Sequence, residues 1–171
     1  MHTQQEKDDF LGLITANRGI IIKVCNSYCY NKSDREDLAQ EIIYQLWRSN
    51  HRYDRDYRFS TWMYRVALNV AISHYRAGKK KDLLLPLMDT HLEIQDHLFD
   101  HPDPGDRSSL LHRKIRELKE LDKALILLYF EEKSYKEIAE ILGITETNVS
   151  TRISRIKEKL KESLTNTPTK K

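Results

Sequence analysis

At 171 residues the chain is long enough for one ordinary domain or two small ones. Its apolar runs fall well short of the roughly 20 residues that cross a bilayer, and the start MHTQQEKDDF has no apolar secretory core. A cytoplasmic protein with no membrane insertion is therefore expected. The formal net charge of +3 conceals a division along the chain. Residues 1–81 carry 14 Lys/Arg against 9 Asp/Glu, residues 82–106 carry 7 acids and no Lys/Arg, and residues 107–171 carry 15 against 10. Two basic blocks around an acidic connector are the pattern of two modules that meet a polyanion.

Apolar residues recur at helical spacing and no strand pattern stands out, so the expected fold is all-α. A first helix is expected over about Asp9–Tyr30, with Phe10, Leu13, Ile14, Ile21 and Val24 among its apolar positions. Cys25 and Cys29 lie within it, without the further ligands a metal would need, and read as two reduced, packed thiols. A second helix begins at a capping box in S-D-R-E, with Ser33 as cap and Glu36 reaching back. Its inner face is Leu38, Ala39, Ile42, Ile43 and Leu46, and its outer face Asp37, Gln40, Glu41, Tyr44 and Arg48.

A loop over Asn50–Arg58 leads into a helix over about Ser60–Arg76. Trp62, Met63, Val66, Ala67, Val70 and His74 share one arc of it, while Arg65, Asn69, Ile72 and Arg76 form another stripe. Gly78 is expected to end it, ahead of Lys79, Lys80 and Lys81. Residues 82–107 hold Pro86, Pro102, Pro104 and Gly105 and read as a flexible acidic linker. Their His91, His97 and His101 match no tight ligand spacing, so no metal and no cofactor are expected. The last block reads as helices at about Ser109–Glu120, Asp122–Glu131, Ser134–Leu142 and Thr145–Leu164, followed by a disordered tail, 165–171.

Two motifs carry chemistry. In S-Y-K-E-I-A-E-I-L-G-I-T-E-T-N-V-S-T-R-I-S-R, Ser134 and Glu137 form a second capping box and Gly143 permits a tight turn. Thr145 caps the helix that follows, which completes a helix-turn-helix. Val149, Ile153, Ile156 and Leu160 pack inward on that helix. Thr147, Ser150, Thr151, Ser154 and Arg155 point outward, where hydroxyls and guanidinium meet phosphates or base edges. Arg152 lies nearer the packed side and suits a phosphate. The plain alternative is a helical hairpin with a polar surface. In H-R-Y-D-R-D-Y-R-F-S-T-W, Tyr53, Tyr57 and Phe59 alternate with Arg52, Arg55 and Arg58. Aromatics stack on unpaired bases while guanidinium groups neutralise phosphates; the competing reading makes the aromatics core and the arginines solvated.

The ordered motifs D-R-E-D-L-A-Q-E-I-I-Y-Q-L-W, F-S-T-W-M-Y-R-V-A-L-N-V-A and the helix-turn-helix resemble the extracytoplasmic-function group of sigma-70 family factors. The resemblance covers nearly everything except the connector and tail. It implies two small helical domains: a polymerase- and minus-ten-binding region over 1–81 and a helix-turn-helix region over 108–164. It implies a sigma factor, not an enzyme, with core RNA polymerase and promoter DNA as partners and, as in many relatives, an anti-sigma factor. Carried over by motif, Asp37, Gln40, Glu41, Tyr44, Gln45 and Arg48 would dock on the polymerase clamp. Arg52, Tyr53, Tyr57, Arg58, Phe59, Ser60, Thr61, Arg65, Asn69 and Arg76 would hold the melted minus-ten element. Thr147, Ser150, Thr151, Arg152, Ser154 and Arg155 would meet the minus-thirty-five element. Many relatives carry a basic residue where this chain has Ser150, so the resemblance does not carry over the promoter sequence that this helix reads. The competing functional class is a dimeric helix-turn-helix regulator that never enters polymerase.

Overall fold

The computed structural model describes residues 3–84 and 107–166, and all regular structure within them is helical. The two stretches fall in separate compact units.

In the first unit, Thr3 starts α1 (Gln4–Ala16) with a capping box: its Oγ1 accepts from the Glu6 N–H while the Glu6 carboxylate accepts from the Thr3 N–H. The single helix expected over Asp9–Tyr30 is instead two, because the chain breaks at Asn17. The Asn17 amide donates to the Leu13 carbonyl at 2.9 Å and its backbone N–H is shared between Leu13 and Ile14. The Asn17 backbone itself leaves the helical region, at φ −108° and ψ 16°. The chain restarts as α2 (Arg18–Tyr28).

The next helix, α3 (Lys32–Arg48), starts two residues before the expected site. Asn31 is its cap, accepting from the Asp34 N–H at 2.7 Å and donating to the Asp34 carboxylate at 2.8 Å. Ser33 and Glu36 therefore lie inside the first turns, and Glu36 faces Lys32 at 3.7 Å. A 3-10 turn (Asn50–Arg52) leads into the loop before α4 (Phe59–Leu84). Gly78 does not end α4: one interior glycine costs only about 1 kcal/mol, and the helix continues through Lys79–Lys81.

Helix α4 packs mainly on α2 and α3. Leu38, Ile42 and Leu46 of α3 meet Met63, Leu68 and Ala71 of α4 in a core closed to solvent, each large side chain contributing about 1.5–3 kcal/mol of apolar burial. The expected faces of α3 and α4 both shift. Ile43 is 41% exposed, and on α4 the sealed stripe is Met63, Tyr64, Ala67, Leu68 and Ala71, with Trp62, Val66, Val70 and His74 half-buried. A stripe read at 3.6 residues per turn fixes the face only to within one position on either side.

Cys25 and Cys29 are both buried and are not joined in a disulfide. Loss of hydration pushes the Cys25 thiol up to about 12, Cys29 adds to the shift and the Arg35 guanidinium opposes it. The folded thiol thus holds its proton after the unfolded one, with its ordinary value of 9.0, has released it. Stability referable to this group is intact below pH 9 and falls as pH rises from 9 toward 12, at up to about 1.4 kcal/mol per pH unit. Urea titrations of wild type and Cys25→Ala between pH 8 and 11 should converge as pH rises. Parallel curves would refute that linkage.

The second unit comprises α5 (Arg107–Arg116), α6 (Glu120–Phe130), α7 (Tyr135–Leu142) and α8 (Glu146–Thr165). Ala124, Leu125, Ile126 and Leu128 bury α6, and α8 packs against α5, α6 and α7 through Val149, Ile153, Ile156 and Leu160. The linker reading and the tail fall largely outside the described residues.

Candidate nucleic-acid interface

The helix-turn-helix is built from local bonds. Ser134 Oγ accepts from the Glu137 N–H at 3.1 Å and the Glu137 carboxylate accepts from the Ser134 N–H at 2.9 Å. Gly143 adopts φ +68°, and its N–H and that of Ile144 both donate to the Ala139 carbonyl, which turns the chain. Thr145 Oγ1 then accepts from the Asn148 N–H at 3.1 Å and starts α8. No atom outside the turn lies within 4 Å of where a Cβ on Gly143 would sit. Gly143→Ala should therefore cost backbone strain alone, about 1 kcal/mol, lowering the thermal midpoint of a domain this size by roughly 4–8 °C. An unchanged midpoint would mean the turn does not need the left-handed residue.

Thr147, Ser150, Thr151, Ser154 and Arg155 are all exposed on α8, on the side away from Val149, Ile153 and Ile156. Arg152 departs from the others. Its guanidinium donates to Asp122 of α6 at 3.3 Å and to Asn148 one turn back at 3.0 Å. Asn148 itself is exposed and was not singled out from sequence.

In the first unit the outer face of α3 presents Asp37, Gln40, Glu41, Tyr44 and Arg48 to solvent, with Gln45 half-buried and donating to Glu41 at 2.8 Å. Exposed Ile43 and Trp47 flank them, an apolar margin that periodicity had assigned in part to the core.

The loop after α3 is held from below by aromatic rings. Phe59, expected on the nucleic-acid surface, is core instead, 7% exposed. Its ring lies 5.3 Å from Tyr53, 5.5 Å from Trp62 and 5.8 Å from Phe10 of α1. Tyr53 is half-buried, 5.2 Å from Trp62, and its hydroxyl donates to the Tyr57 carbonyl at 3.0 Å. That bond and the Tyr57 N–H to Asp54 carbonyl bond at 3.1 Å close the loop on itself. Tyr57 is 62% exposed, alongside exposed Arg52, Arg55 and Arg58. On α4, Arg65, Asn69 and Arg76 are exposed, and Ser60 and Thr61 half-buried at its start.

An open groove of about 420 Å³ between α3 and α4 is lined by Glu41, Gln45, Asn69, Val70, Ser73 and His74. It brings residues predicted for two different partners, Glu41/Gln45 and Asn69, to one place. Ser73 and His74 join them, His74 from the arc it shares with Met63 and Ala67. Among the described residues no group of three or more His, Cys, Asp or Glu could hold a metal ion, and no helix is long and apolar enough to cross a membrane.

An arginine- and aromatic-rich loop on one helical unit and a helix-turn-helix on the other are two candidate nucleic-acid surfaces. Residues 13–81 match sigma-70 region 2 and residues 108–160 match sigma-70 region 4. The chain is 31% identical over 170 residues to the extracytoplasmic-function (ECF) RNA polymerase sigma factor SigW of Bacillus subtilis, covering 93% of this chain and 90% of SigW. It is 28% identical over 156 residues to the RNA polymerase sigma-H factor of Pseudomonas aeruginosa, covering 85% and 79%. Its fold resembles the sigma factor RpoE of Bartonella quintana, solved with the anti-sigma factor NepR (TM-score 0.64, 18% identity, 97% of this chain and 100% of that one). It also resembles CnrH, solved with the cytosolic domain of CnrY (TM-score 0.66, 20% identity, 95% and 91%). The chain belongs to the ECF group of sigma-70 family factors. It is a sigma factor, which joins core RNA polymerase for promoter recognition; a dimeric regulator acting apart from polymerase is not favoured.

Proposed function

We propose that three surfaces divide the work of initiation. The outer face of α3, with Asp37, Gln40, Glu41, Tyr44, Gln45 and Arg48, docks on the clamp helices of the largest polymerase subunit. The loop carrying Arg52, Tyr57 and Arg58, with Ser60, Thr61, Arg65, Asn69 and Arg76 of α4, receives the minus-ten element as its strands part. Thr147, Ser150, Thr151, Ser154 and Arg155 of α8 contact the minus-thirty-five element. Tyr53 and Phe59 serve the minus-ten surface from beneath.

The observation that carries this reading is the loop itself: Tyr57 stands 62% exposed among three exposed arginines while Tyr53 and Phe59 hold its base. A ring so placed can stack on an extruded base, at about 1–3 kcal/mol per base, against an unstacking cost of a few kcal/mol. Arginines meanwhile neutralise the strand. No side chain here needs to perform catalysis, because polymerase makes the phosphodiester bond, and the factor acts in the cytoplasm beside it. RpoE of B. quintana is held by an anti-sigma factor, and we infer comparable control here.

Run-off transcription with host core polymerase on a genomic promoter library tests the whole. New start sites sharing a two-part motif, lost on Asp37→Ala/Glu41→Ala or Thr151→Ala/Arg155→Ala, are expected. Unchanged start sites beside tight polymerase-free duplex binding would reverse the reading.

A further inference from the structure

Asn148 sits at the third position of α8, one turn before Thr151 and Arg152 and two turns before Arg155, at the helix end that meets a groove. Its side chain is exposed, yet its orientation is not free. Arg152 Nε donates to the Asn148 Oδ1 at 3.0 Å, and Arg152 is itself tied to Asp122 of α6 at 3.3 Å. A guanidinium has five donors and no acceptor, so only the amide oxygen of Asn148 can face it. The Nδ2 amine is thereby turned the other way. An unconstrained asparagine reads adenine with both amide atoms, oxygen to N6 and nitrogen to N7. With its oxygen turned toward Arg152, Asn148 presents the donors of Nδ2 on its other side.

We infer that Asn148 is a specificity-determining residue for the upstream promoter element, reading a major-groove acceptor through Nδ2, with Arg152 and Asp122 as the positioning residues that fix its amide. The inference rests on the reading that α8 enters the major groove at that element. The bases that fit are guanine (N7, O6) and thymine (O4); adenine offers N7 alone. Cytosine presents only the N4 amine and is rejected. Arg152, expected to meet a phosphate, acts instead through its neighbour.

The test uses the full-length factor bound to core polymerase, transcribing from promoters randomised across the upstream element. Asn148→Asp keeps the shape and suits the helix start, where negative charge is favoured, but replaces the amine by an acceptor oxygen. It should shift preference at one position toward cytosine or adenine. Asn148→Ala should flatten that position by roughly 2- to 10-fold in discrimination. Asp122→Ala, which removes the acceptor that ties Arg152 to α6, should loosen the same position with the thermal transition of the second unit retained. Arg155→Ala is the internal reference. If it weakens use of the upstream element while every Asn148 variant keeps the wild-type base preference, the role of Asn148 is overturned and the α8 reading stands. If Arg155→Ala has no effect either, both fall together.

Discussion

Phe59→Ala is expected to destabilise the first unit strongly, whereas Tyr57→Ala, two residues earlier, should leave its stability unchanged and weaken initiation. Phe59 has its ring within 6 Å of Phe10, Tyr53 and Trp62 and is closed to solvent. Truncating such a ring costs about 3–5 kcal/mol, a large part of the 5–15 kcal/mol typical of a whole domain. Tyr57 leaves no cavity when truncated, because its ring is largely in water. What it forfeits is stacking, about 1–3 kcal/mol, or roughly 5- to 150-fold in occupancy of an opened minus-ten strand. Circular dichroism melts and open-complex assays on the two variants separate these outcomes. A stable Phe59→Ala protein, or a Tyr57→Ala protein that opens promoters normally, would break the division between supporting and contacting rings.

Arg155→Ala should reduce affinity for the upstream element by roughly 1–3 kcal/mol where the guanidinium meets a base. Where it meets a phosphate, the loss should instead be nearly uniform across sequences, with the slope of log affinity against log salt shallower by about 1. Arg155 is exposed and points from the same side of α8 as Thr151, so its loss should leave the fold intact. Arg152→Ala should behave differently. It removes the partly exposed pair with Asp122, worth at most about 1 kcal/mol, and frees the Asn148 amide, so its signature is relaxed base preference with little change in the salt slope. Titrations of the polymerase-bound factor at several salt concentrations discriminate the two. Identical salt slopes and identical base preferences for both variants would show that the two arginines do the same work.

Legibility from sequence followed the range of the interactions involved. The capping box of Ser134 and Glu137, the left-handed Gly143 and the Thr145 cap were readable because each depends on partners within about one turn, and the buried stripe of Val149, Ile153, Ile156 and Leu160 because its spacing is that of the helix itself. The same range explains why the all-helical fold and the exposed hydroxyl face of α8 were legible. Local rivalry defeated the reading in two places. Asn31 and Ser33 are both good caps, and Asn31 prevailed. Asn17 sits inside an apolar periodicity that gives no sign of the break it makes.

The sequence by itself thus determined the all-helical class, the capping of α7 and α8 and the chemistry on offer at the surface, since these are written in spacings of three and four residues. Only the tertiary structure decided which aromatic of Tyr53, Tyr57 and Phe59 faces water. The rings that bury Phe59 come from α1 and from the start of α4. Only the tertiary structure, too, turned Arg152 toward an aspartate 30 residues away and so oriented Asn148. Periodicity can name the face of a helix, but the partner across that face is set by packing, and packing joins residues that the chain keeps far apart.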